Sequence, residues 1–254
     1  MELVMLKMAL VILIVLGAVD AAEAGKKPSC SDLNREWRAD YIEDFGLDAD
    51  EGGTMQRRFD CPSPESRLAY ALWDLRHTKF ESDALYESPG SENWFYLYAR
   101  NHINRMVFVH VSGCIFTSNA NFEVRILTGC QNADVGKPWS IGPHTIIHEA
   151  RHAEMKRNND QSVLSTHEFC NQGDFADSPN KHCDRYFTED LQEGGSYSYT
   201  IKYTSWLTYR SDFDTLSKKY LKKLLVYRAD NNFNTPLTKA QRDMWIRDRP
   251  RVGF

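Results

Sequence analysis

The sequence predicts an α+β fold in which a small antiparallel sheet packs on a helix carrying a metal motif, with further helices after it. Three observations point there: strand-like runs between residues 94 and 127, an amphipathic span around His148-Glu149-Ala150-Arg151-His152, and helical periodicity from Gly194 onward. The chain has 254 residues, six cysteines and a formal net charge of −4.

In chain order, Met1 to Lys7 precede the apolar run Met8 to Leu16, and Ala22-Glu23-Ala24 follows. This pattern resembles a secretory signal peptide cut near Ala24. The expected plan is a signal peptide at 1–24 and a single secreted domain at 25–254, with room for two lobes around a cleft. The apolar run is too short for a membrane span of ~20 residues, and no later stretch approaches that length, so no stable membrane insertion is expected after signal removal. Loss of residues 1–24 removes one Lys and three acidic residues, leaving 30 basic against 32 acidic. That balance argues against nucleic acid or another polyanion as a partner.

Cys30, Cys61, Cys114, Cys130, Cys170 and Cys183 all lie beyond the signal segment. An even number in an oxidising compartment favours three disulfides over zinc thiolates. Among 15 connectivities the simplest pairs neighbours: Cys30 with Cys61, Cys114 with Cys130, Cys170 with Cys183.

The first part of the secreted chain is polar, with Asp48, Asp50 and Glu51 in a solvated acidic stretch. Residues 64–80 read as a helix with Leu68, Leu72 and Leu75 on one side and Trp73 joining the core. Residues 94–98, 106–111 and 122–127 read as strands, being rich in aromatic and β-branched residues. The last two of these form a hairpin in this reading, clamped by Cys114 and Cys130, with Glu123 and Arg125 on its wetter side. His110 reads as a partly buried strand histidine. Helices are expected from Gly194 to about Arg210, with Tyr197, Ile201, Trp206 and Leu207 inward, and from about Asp212 to Arg228. In the latter, an apolar stripe containing Leu221, Leu224 and Leu225 opposes Lys218, Lys219, Lys222 and Lys223. The tail from Asn231, with Pro236 and Pro250, reads as short and loosely ordered.

The metal motif is His148-Glu149-Ala150-Arg151-His152. Ser140-Ile141-Gly142-Pro143 supplies a helix start and Asn158-Asn159-Asp160 a stop, leaving room for about four turns. Ile146, Ile147, Ala150 and Ala153 give that helix an apolar side. Positions i and i+4 share a face, so His148 and His152 can offer nitrogens to one Zn²⁺ at about 2.0 to 2.1 Å. Glu149, roughly 100° round the helix, is placed to take a proton from a zinc-bound water. His144, one turn upstream, reads as a supporting or surface histidine.

A catalytic zinc needs a third protein ligand. His167 ranks first, because it lies three residues before Cys170 and a disulfide can hold it over the helix. Glu193, His182 and Asp184 stand as alternatives. Tyr197 is a candidate donor for oxyanion support, and Arg151 is expected to pair with Glu154 or Asp184.

The HExxH pentapeptide resembles the signature of the zincin metallopeptidases, in which that helix lies beneath an antiparallel edge strand holding a peptide. Met155 and Asn158 depart from the metzincin continuation, which has Gly and His there, and Arg151 is unusual between the two histidines. The chain also resembles secreted HEARH proteins of unassigned function, through His148 to His152, Cys170 with Cys183-Asp184, and Gly195-Ser196-Tyr197. That likeness implies that the cysteine loop and the Tyr197 helix belong to the site. The function expected is a secreted zinc-dependent hydrolase, a metallopeptidase acting on a peptide or protein through a Glu149-activated, zinc-bound water. The alternative is a secreted, non-catalytic zinc-binding protein, disulfide-stabilised and serving interaction or structure.

Overall fold

Helices dominate the architecture, accompanied by two small sheets. The computed structural model describes residues 29–33, 37–49, 64–77, 94–109, 116–118, 123–127, 142–158, 167–171, 173, 182–188, 194–208 and 215–247. The expected signal segment, the acidic stretch after Ala49, Cys61, His110, Cys114, Cys130 and Glu193 lie outside them, as does the side chain of Cys30. Two of the three expected disulfides therefore fall outside the described residues.

The elements run α1 (Cys30–Asp32), α2 (Arg38–Phe45), β1 (Asp48–Ala49), α3 (Pro64–Arg76), α4 (Trp94–His102), β2 (Arg105–Val109), β3 (Phe116–Ser118), β4 (Glu123–Leu127) and α5 (Pro143–Arg157). There follow β5 (Glu168–Phe169), β6 (His182–Cys183), α6 (Ser196–Leu207), α7 (Thr215–Asn231), α8 (Lys239–Arg242) and a π-helical turn, Asp243–Arg247.

Two expectations for residues 94–127 are corrected. Residues 94–98 begin a helix rather than a strand: Phe95, Ala99 and Ile103 recur every four residues, and all three are buried. Core packing on that stripe outweighs the β preference of the aromatic run. The sheet is also mixed rather than antiparallel, in the order β1-β2-β4-β3. β2 pairs with β4 in parallel, Arg105 opposite Glu123 through Val109 opposite Leu127. β3 forms the antiparallel partner on the far edge of β4. Residues 110–122 are long enough for the crossover of about a dozen residues that a parallel pair requires. The alternation within β4 follows the sequence, with Val124 buried and Arg125 exposed.

The principal core gathers α2, α3, α4, β2, α5 and α6 around Phe45, Leu72, Phe95, Met106, Ile147 and Tyr203. A second cluster, with Phe187, Ile201, Leu225, Phe233 and Trp245, lies between α6, α7 and the π-helical turn. Helix α6 is thus covered on both sides. It meets burial with small hydroxyl residues that fold back on their own helix: Thr200 Oγ1 donates to Ser196 O at 2.9 Å and Thr204 Oγ1 to Thr200 O at 2.7 Å.

The segment expected to be a loose tail is ordered as far as Arg247. Thr238 and Gln241 form a capping box at the start of α8, and Leu237, Trp245 and Ile246 are buried. Among the described residues no helix is long and apolar enough to cross a membrane.

Candidate metal centre

Helix α5 starts at Pro143, behind an extended Gly142, and buries Ile146, Ile147, Ala150 and Ala153. It packs against α4, α6 and β3. His148 and His152 remain on its partly exposed side, their ring centroids 4.9 Å apart. His167, just before β5, completes the group: its Nε2 lies 3.1 Å from His148 Nε2 and 2.9 Å from His152 Nε2.

These three side chains offer ligand atoms within 4.8 Å of one another, and among the described residues they form the one such group. Tetrahedral coordination at 2.0 to 2.1 Å sets ligand nitrogens about 3.3 Å apart, close to the separations found. Three imidazoles fit a divalent transition metal. Burial, reinforced by His152 and His167 beside it, holds His148 well below the usual imidazole range and hence neutral, the form that binds a metal.

The far nitrogens are held as well. His148 Nδ1 lies 3.3 Å from Thr200 Oγ1, whose own proton goes to Ser196 O. His167 Nδ1 lies 3.1 Å from Asp184 Oδ1. An Nδ1–H on either ring would be satisfied by these acceptors, which would leave its Nε2 lone pair toward the shared point.

The β5–β6 hairpin positions His167. Cys170 and Cys183 close it with a disulfide, their Cα atoms 5.1 Å apart. Asn234, in the turn after α7, braces it: Nδ2 donates to Phe169 O at 3.0 Å, and Oδ1 accepts from Asn171 N at 2.9 Å.

Of the alternative ligands, His182 is exposed and its ring packs on Phe169 at 5.0 Å. Asp184 is buried and meets His167 rather than joining the three-nitrogen group. Glu193 lies outside the described residues. His144 is also outside the group; its Nε2 is buried without a partner among the described residues, and burial lowers its pKa well below the usual range.

Glu149 is buried, at 5% exposure, on the helix that carries the first two histidines. The Tyr197 ring forms a wall, 4.6 Å from His148 and 4.7 Å from His167. Burial, with Asp184 adding to it, pushes its phenol up to about 12, so it is neutral at ordinary pH. Arg151 turns away from metal chemistry. Its Nη1 meets Glu154 Oε2 at 2.6 Å, its Nε donates to Gly194 O at 2.6 Å, and its guanidinium lies over the Tyr199 ring at 4.8 Å. The unusual charge inside the motif ties α5 to the segment that opens α6.

Thr200 and Asn234 were not singled out by sequence reasoning. Thr200 carried a weak signal, one turn after Tyr197 on the same helix. Asn234 carried none, since its partners lie more than 60 residues away.

The fold and site define a mostly helical protein with two small sheets and a three-histidine group that could hold a metal ion. No family model matches the chain, and neither a curated protein nor a solved structure matches it.

Proposed function

We propose that this chain is an exported, zincin-like, zinc-dependent hydrolase, a metallopeptidase acting on peptide or protein substrates. The observation that carries the reading is the convergence of His148, His152 and His167 through Nε2, on a helix where Glu149 adjoins the first ligand. When bound, zinc would supply Lewis acidity and a water of lowered pKa. Glu149 would hold the proton released and return it to the leaving amine. His148 and His167 would each keep a proton on Nδ1 and donate it in a hydrogen bond to Thr200 Oγ1 and Asp184 Oδ1, and the Tyr197 ring would shield one side from solvent.

The test is metal content by atomic emission together with a broad peptide-cleavage assay, on the unmutated chain and on His148→Ala, His167→Ala and Glu149→Gln. The reading expects about one zinc per chain, lost in both histidine variants, and retained in Glu149→Gln with cleavage abolished. No zinc in the unmutated chain, under conditions that refill a known zinc enzyme, would refute it.

The burial of Glu149 favours a second reading, a non-catalytic zinc protein in which that carboxylate serves packing. It expects the same zinc content, no cleavage, and a thermal midpoint that falls when Glu149 is changed.

A further inference from the structure

We propose that Asp184 is a positioning residue that couples the start of helix α6 to the third metal ligand, fixing the tautomer of His167. The inference rests on the three-histidine reading of the site. Asp184 is buried at 2% exposure, and both of its carboxylate oxygens are committed. Oδ1 faces His167 Nδ1 at 3.1 Å, while Oδ2 accepts from the backbone N–H groups of Tyr197 at 2.9 Å and Ser198 at 3.2 Å. The carboxylate therefore caps the positive end of α6 and at the same time stands as the hydrogen-bond acceptor for His167 Nδ1.

Its backbone is equally fixed. Asp184 N donates to Asn232 O at 3.0 Å, Asp184 O accepts from Asn234 N at 2.8 Å, and Cys183 beside it is bonded to Cys170. The approach also requires glycine at 195: a Cβ there would stand 2.5 Å from Asp184 Oδ2 and 2.7 Å from its Cγ. This gives Gly195 a task in the site although it carries no chemistry of its own.

An acceptor at Oδ1 keeps the proton on His167 Nδ1 and leaves Nε2 free to bind a metal. Asn at 184 breaks that arrangement. It has one oxygen for two sets of donors, and the two backbone N–H groups of α6 claim it, turning the amide NH₂ toward His167. Nδ1 must then accept, and the proton moves to Nε2, the nitrogen that faces His148 and His152.

The experiment is ¹⁵N–¹H long-range NMR of the imidazoles in the metal-free chain, with zinc affinity measured by competition against a chromophoric chelator. The unmutated chain, Asp184→Asn and Gly195→Ala are compared. The expected result is an Nδ1–H tautomer at His167 in the unmutated chain, an Nε2–H tautomer in Asp184→Asn, and zinc affinity reduced about 10 to 100-fold in both variants. A purely structural cap would lower the melting temperature and leave tautomer and affinity of the folded fraction unchanged, which would overturn the proposal. An Nε2–H tautomer in the unmutated chain would overturn it too, and that measurement stands even if Asp184→Asn does not fold. Absence of zinc uptake by the unmutated chain overturns the site reading, whereas uptake that Asp184→Asn leaves unchanged overturns this proposal alone.

Discussion

His148 and His152 were legible as a pair because a helix fixes what four residues of spacing mean, and His167 because it is the next histidine beside a cysteine. The role of Asp184 was not legible, since its partners on α6 meet it only through tertiary packing. The same holds for Tyr41, which sequence left unremarked. Its ring is fully buried, and its hydroxyl has no hydrogen-bond partner among the described residues. Tyr41→Phe is expected to raise stability by about 1 kcal/mol in chemical denaturation, because it removes a desolvated polar group. Burial also raises the pKa of Tyr41, and of Tyr96, above the ordinary 10.0. The folded chain then keeps protons that the unfolded chain releases, so stability is complete below pH 10 and falls as pH rises beyond it. Tyr41→Phe should flatten that alkaline decline, as read from thermal midpoints between pH 8 and 11. Arg151→Met strands Gly194 O and removes the cationic partner of Glu154, leaving that carboxylate with Tyr98 Oη, and about 2 to 3 kcal/mol of destabilisation is expected in the same assay.

Element by element, sequence reading succeeded where one periodicity spoke alone and failed where two competed. Helices α5 and α7 have a polar face and an apolar one, and both were anticipated within a few residues. Helix α4 was mistaken because five successive apolar residues satisfy either period, and its stripe emerges only when Ala99 and Ile103 are included. Sheet order was lost for another reason: a parallel pair separated by a crossover leaves no turn signal between its strands. The Cys170–Cys183 pairing was anticipated from neighbour spacing, and β5 and β6 are short enough to depend on it. Replacing both cysteines with Ala should cost about 3 kcal/mol on the chain-entropy account, measured by urea denaturation. Zinc affinity should fall in the same variant, because His167 just before β5 and Asp184 just after β6 face each other across the end of that hairpin.

On the scale of the whole molecule, α6 is the wall shared by two cores, and the segment after Asn231 completes the second of them. The prolines of that segment suggest a loose tail in the sequence, whereas the Thr238 and Gln241 capping pair and the buried Trp245-Ile246 give it order. Trp245→Ala should lower stability by about 3 to 5 kcal/mol, a loss visible as a shift of the urea midpoint. The double engagement of Asp184 has a consequence for motion. Whatever steadies His167 steadies the carboxylate, and the carboxylate holds the first amides of α6, so a cation in the site and the fraying of that helix end oppose each other reciprocally. Hydrogen exchange at the Tyr197 and Ser198 amides then becomes a gauge of occupancy, slowing when zinc is added and quickening when a chelator withdraws it.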